Sequence, residues 1–182
     1  WQSAASALLF RQRLRRTLFV GLSDGSRVDI LRRANAGLLS TEQIVPMLHI
    51  DDEKWRDLAK ELFSELGEGA QFDRVYLIDD FTASGTTFIR QRDGVWKGKL
   101  SRFNELISAA RKELGAAFPI APNFALHIHH YISSHQARDA LKERLAEADR
   151  DWPERLYGSV KATEGLLLPE KAKLDFSTDA EV

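Results

Sequence analysis

The chain contains no cysteine, which excludes disulfides, thiolate zinc sites and cysteine nucleophiles and allows a reducing cytoplasm, the expected location. It has almost no charge imbalance: 26 Lys and Arg stand against 27 Asp and Glu, so no global basic field points to nucleic acid. It also has no apolar run approaching the roughly 20 residues that span a bilayer, and no signal peptide is visible, so no membrane is expected. The sequence opens at Trp1 without a methionine and is read as a fragment whose missing ends could matter. What is present is ordinary for a globular protein. The 182 residues are 43% hydrophobic and 29% charged, which suits one domain with a sizeable core.

Apolar periodicity predicts helices over residues 4 to 16, 52 to 66 and 100 to 114. In the second, Trp55, Leu58, Ala59, Leu62, Phe63 and Leu66 form one stripe, so Trp55 is expected in the core and Gly67 ends the helix. Strands are expected at "TLFVGLSD" (17 to 24), "RVYLIDD" (74 to 80) and "NFALHIHHYI" (123 to 132). "SRVDILRRA" suits a short helix. "LSTEQIVPML" carries a capping-box spacing, Ser40 with Gln43, and Pro46 shortens or bends any helix there. Residues 133 to 150 suit a further helix with Ser133 and Gln136 as its capping box. Strands alternating with helices predict an α/β fold: a three-layer parallel sheet with helices on both faces. No repeat or linker is visible, so residues 1–182 read as one domain, with a core at about 17–150 and a C-terminal extension, 151–182, whose "GLLLP" suits an edge strand.

The chemistry concentrates in "VYLIDDFTASGTT", residues 75 to 87. Four apolar residues without alternation suit a central strand buried on both faces, which puts Asp79 and Asp80 at its carboxyl end, where such sheets bind ligands. Two adjacent carboxylates in a poorly solvated place need donors or a cation to meet them. The vicinal hydroxyls of a ribose supply donors, and a divalent cation supplies charge. Ala83, Ser84, Gly85, Thr86 and Thr87 leave room for backbone amides to converge, and a helix starting near Thr87 would add its dipole. Diol recognition beside a phosphate cradle describes a 5-phosphorylated ribose.

This stretch resembles the phosphoribosyl-pyrophosphate (PRPP) signature of type I phosphoribosyltransferases. Together, "FVGLSDGSR", "LIDDFTASGTTFIR", "KGKL" and "HHYISS" resemble the phosphoribosyltransferase-like proteins of bacterial conflict and defence loci, some of them encoded beside retron reverse transcriptases. The resemblance covers roughly residues 17 to 145. It implies the type I phosphoribosyltransferase fold, with Asp79 and Asp80 as catalytic, ribose-binding residues and residues 83 to 87 around the 5-phosphate. It implies Mg²⁺ near Asp79 and Asp80, bound mostly through ligand and water, and Ser23, Asp24, Gly25, Ser26 and Arg27 on the pyrophosphate side. Two residues depart from the pattern. Asp24 stands where many relatives have a basic residue, and Ala83 where some purine transferases have a carboxylate, so purine salvage by the usual acid–base contact is not expected.

The expected function is therefore PRPP-dependent transfer or hydrolysis at the ribose anomeric carbon, with pyrophosphate release, by an effector or regulator of antiphage defence. Two other readings stay open: an inactive sensor of PRPP or a nucleotide, and an assembly subunit whose partner is a protein or a reverse transcriptase–nucleic acid complex. Oligomeric state and acceptor are not readable. "HIHHYISSH" suggests a metal site, but alternation puts His130 opposite His127 and His129 and no carboxylate cluster completes a shell, so structural histidines are the expectation. His130, Tyr131, Ser133 or Ser134 could still touch a substrate. Arg11, Arg13, Arg15, Arg16, Arg32 and Arg33 read as solvated faces rather than a nucleic-acid grip. Lys97 and Lys99 could close over a leaving group or bind a partner, or simply lie in a solvated loop.

Overall fold

The apolar run at residues 75–78 forms the middle of a five-stranded, all-parallel sheet in the computed structural model of the chain, which describes residues 3–47 and 50–169. In chain order the elements are α1 (Ala4–Arg15), β1 (Thr17–Gly21), α2 (Val28–Ala34), β2 (Ile44–Pro46), α3 (Asp52–Leu66), β3 (Phe72–Thr82), β4 (Arg90–Arg92), β5 (Val95–Lys97), α4 (Lys99–Leu114), β6 (Ile120–Ser134), α5 (His135–Asp151) and β7 (Tyr157–Leu168). The sheet order is β2-β1-β3-β6-β7, and β4 pairs antiparallel with β5 as a separate hairpin. β3 is therefore central, as its apolar sequence requires.

Helices lie on both faces, unequally. Trp55, Leu58 and Leu62 of α3, Phe103 and Ile107 of α4, and Leu141 and Leu145 of α5 pack on Leu18, Val20, Val75, Leu77, Leu126 and Ile128. Trp55 is fully buried, edge-on to Phe118 at 5.1 Å. On the other face α2 brings Val28 and Leu31 against Ile44, Ile78 and Phe19. Beyond α2 that face carries a half-buried stack, Phe19 on Tyr76 at 5.4 Å and Tyr76 on His127 at 4.4 Å.

Several local expectations shift. The Ser40–Gln43 capping box forms, but it caps a single 3-10 turn (Thr41–Gln43), and the chain then enters β2. An edge strand tolerates Pro46, and tertiary pairing to β1 overrides a weak helical pattern. The first strand stops at Gly21, short of Asp24, because Gly21 lets the next loop fold back: a Cβ there would lie 2.5 Å from Ser26 Oγ. The cap of α5 is Ser134, which accepts from Ala137 N at 3.0 Å, not Ser133. Ser133 stays in the strand, paired with Thr82. The edge strand in the tail is longer than "GLLLP" and runs parallel to β6; the extension past residue 169 lies outside the described residues. The β4–β5 hairpin is not among the expected elements; it turns on Asp93 and Gly94, at φ +52° and +75°, the two left-handed residues of a tight hairpin turn.

Gln43 joins the edge of this fold. Its fully buried amide donates to Leu14 O and Thr17 O, both at 2.8 Å, and accepts from Ser40 N at 2.9 Å. Gln43→Leu leaves those buried groups unpaired and should lower unfolding stability by about 1–3 kcal/mol, read by urea titration. A stability within error of the parent would overturn this assignment.

Candidate functional site

At the carboxyl end of β3, strand alternation sends the two aspartates to opposite sides. Asp79 follows Val75 and Leu77 toward the three-helix side and is 3% exposed, whereas Asp80 is exposed. A buried carboxylate without partners is strongly unfavourable, and Asp79 has two. Ser23 Oγ donates to its Oδ1 at 2.7 Å, and the Lys99 ammonium forms an ion pair with its Oδ2. Lys99 is the first residue of α4, held there because the amides of Lys99 and Leu100 donate to the carbonyls of Thr87 and Phe88. Asp80 accepts from its neighbour Phe81 N at 2.8 Å, and the backbone of Gly25 lies over its other oxygen. A Cβ on Gly25 would fall 2.0 Å from Asp80 Oδ2, so any larger residue there must displace that carboxylate.

His130 pairs with Asp79 in the sheet register and sits edge-on to Phe88 at 5.4 Å. It is 2% exposed, and Nε2 has no hydrogen-bond partner. Burial pushes its pKa down to about 4, and the opposing pull of Asp79 does not overcome this, so the ring is neutral at physiological pH. His127 stacks on Tyr76, and His129 Nδ1 lies 3.0 Å from Thr163 Oγ1. Among the described residues no group of three His, Asp or Glu is placed to hold a metal.

No helix starts at Thr87. The chain turns there into the β4–β5 hairpin, and α4 begins at Lys99, so residues 83–87 gain no helix dipole. The loop is instead tied down by its carbonyls: Ala83 O accepts from Ser134 Oγ at 2.6 Å, Ser84 O from Arg144 at 3.4 Å and Thr86 O from Arg90 at 3.0 Å. Gly85, at φ +68°, packs so closely on α5 that a Cβ would meet Ala137 O at 2.9 Å. Its amide donates to Thr82 Oγ1 at 3.2 Å, and Thr86 N donates to Ser84 Oγ at 3.4 Å. These bonds lie at or beyond the long end of the usual range, and the first is buried. Ser84 Oγ and Thr86 Oγ1 lie 2.7 Å apart, while Ala83 and Thr87 are exposed.

Of the five expected pyrophosphate-side residues, Ser23 and Gly25 reach the aspartates. Ser26 turns inward, donating to Ser23 O at 2.6 Å, while its own carbonyl accepts from Tyr131 OH at 2.6 Å. Asp24 and Arg27 face solvent, and Arg27 adopts a left-handed φ of +47° that a non-glycine residue takes only when its surroundings hold it there. Asp80 suits an ion that keeps its waters and takes most ligands from a bound phosphate, as Mg²⁺ does. Asp79 already has its counter-charge in Lys99. Sequence reasoning gave Lys99 no role at Asp79, because a contact spanning 20 positions through a hairpin leaves no periodic signal.

His130 sets a pH dependence. Its folded pKa lies below the ordinary 6.5, so between about pH 6.5 and 4 the unfolded chain binds the extra proton and stability falls as pH drops. Burial lowers His127 and His129 in the same direction. At about pH 5 the His130 contribution should be on the order of 2 kcal/mol, and His130→Phe should flatten the stability profile by that amount. An unchanged pH profile in that variant would contradict the assignment.

No family model, curated protein or solved structure matches this chain.

Proposed function

We propose that this protein binds PRPP and transfers its phosphoribosyl group to a nucleophile, serving as an effector or regulator of bacterial, retron-type antiphage defence. The defence role rests on the sequence resemblance alone. The ligand class rests on one observation: two consecutive carboxylates at the carboxyl end of the central strand stand between a tethered hydroxyl-rich loop at 83–87 and the 22–27 loop laid over Asp80. In the transfer, the anomeric C–O bond to pyrophosphate breaks with its electron pair leaving on pyrophosphate. The acceptor's lone pair forms the new bond, and its proton passes to water or a base. Developing positive charge on the sugar is met by Asp80 and, once the ribose diol displaces Lys99, by Asp79, a matter of positioning and electrostatics. Magnesium, held by Asp80 and ligand oxygens, would supply neutralisation of the leaving group.

A second reading has its own observation. Lys99 already neutralises Asp79, so a ribose diol must displace or share that ammonium, and a PRPP-binding module without turnover fits this closed arrangement. Calorimetry with PRPP and Mg²⁺, followed by a pyrophosphate-release assay, separates the two. Binding with release supports transfer, and binding without release across amine, base and hydroxyl acceptors supports the module. Asp80→Asn and Gly25→Ala should each weaken PRPP binding by about tenfold or more through the lost charge or the displaced carboxylate. No binding by the parent, or undiminished binding by Asp79→Ala/Asp80→Ala, would sink both readings.

A further inference from the structure

The hairpin inserted between the 83–87 loop and α4 creates a cavity of about 480 Å³ that the sugar-phosphate reading does not use. Its wall carries four cations, Arg90, Lys97, Lys99 and Arg102, against one carboxylate, Glu105. Lys99 is committed to Asp79. Arg90, Lys97 and Arg102 form no ion pair among the described residues, and Arg90's hydrogen bond goes to a carbonyl, Thr86 O. Three cations facing one carboxylate leave the concavity net positive, and an anion relieves their mutual repulsion.

The cavity is preformed. Trp96 of β5 is buried, stacks on Trp152 at 5.8 Å and donates to Asp151 O at 3.5 Å, which fastens the hairpin to the end of α5. Gly98, at φ +120°, lies so near Phe88 that a Cβ would meet its carbonyl at 2.4 Å, which fixes the turn into α4. Trp96 and the 55%-exposed Val95 add apolar surface among the charges. The volume falls in the range of small-ligand sites, roughly 300–1,000 Å³. Two residues join the cavity to the candidate site: Thr87 belongs to both, and Lys99 lines the cavity while gripping Asp79.

We propose that this basin binds a phosphate ester of nucleotide type and that, on the phosphoribosyl-transfer reading, it holds the acceptor. Phosphate meets Lys97 and Arg102, and a base or sugar lies against Val95. An anion here also draws on Lys99, so occupancy of the basin and release of Asp79 toward a ribose diol are coupled, and each ligand changes the other's affinity by the same factor.

The test is titration with two probes, adenosine monophosphate and a short oligothymidylate, with PRPP titrated separately. The parent should bind at least one probe below about 1 mM, more weakly as salt rises. Tighter binding of the monophosphate assigns a free nucleotide, and tighter binding of the oligomer a nucleic-acid end. Lys97→Glu/Arg102→Glu should weaken that binding by about tenfold or more, with thermal midpoint unchanged. Lys97→Met/Arg102→Met serves if the charge reversal disturbs folding. Neither probe binding the parent, or either variant pair binding it as the parent does, overturns the proposal. Probe binding that depends on Lys97 and Arg102 without any PRPP binding keeps the basin and removes the phosphoribosyl reading.

Discussion

A carboxylate buried at the end of a strand organises this molecule. Asp79 is almost wholly removed from water, and an ionised group there persists only where charge and hydrogen bonds replace its hydration. Lys99 and Ser23 supply both, and they come from different elements. Satisfying one side chain therefore fixes the start of α4 against β3 and holds the 22–27 loop over the sheet's edge. The hairpin follows from this, because the chain must travel from Thr87 to Lys99 and still return its first helical amides to the Thr87 and Phe88 carbonyls.

The two aspartates, neighbours in sequence, have opposite physical lives. Asp79 is internal and neutralised, with a neutral His130 beside it in the register. Asp80 is at the surface under a glycine, open to solvent. A ligand engaging both must therefore reach around a strand end rather than bind a flat acidic patch. Lys99 spans the two features, gripping Asp79 while lining the cavity beside the hairpin.

The loops differ in how they are held. Residues 83–87 are fastened by carbonyls to Ser134, Arg144 and Arg90, while the Gly85 and Thr86 amides make long bonds to hydroxyls within the loop and strand end. The 22–27 loop is folded on itself through Ser26 and Tyr131, with Asp24 and Arg27 outward.

The sequence by itself determined the parallel α/β arrangement, the central place of residues 75–78 and the position of Asp79 and Asp80 at a strand's carboxyl end. Apolar runs without alternation and stripes at helical spacing are local signals, so those elements were legible. Only the tertiary structure turns "LSTEQIVPML" into a 3-10 turn and an edge strand and brings Lys99 and Ser23 together at Asp79. Each of these depends on pairing partners dozens of positions away or on the desolvation of one charge. Neither pairing over that distance nor burial is written in the spacing of neighbouring residues.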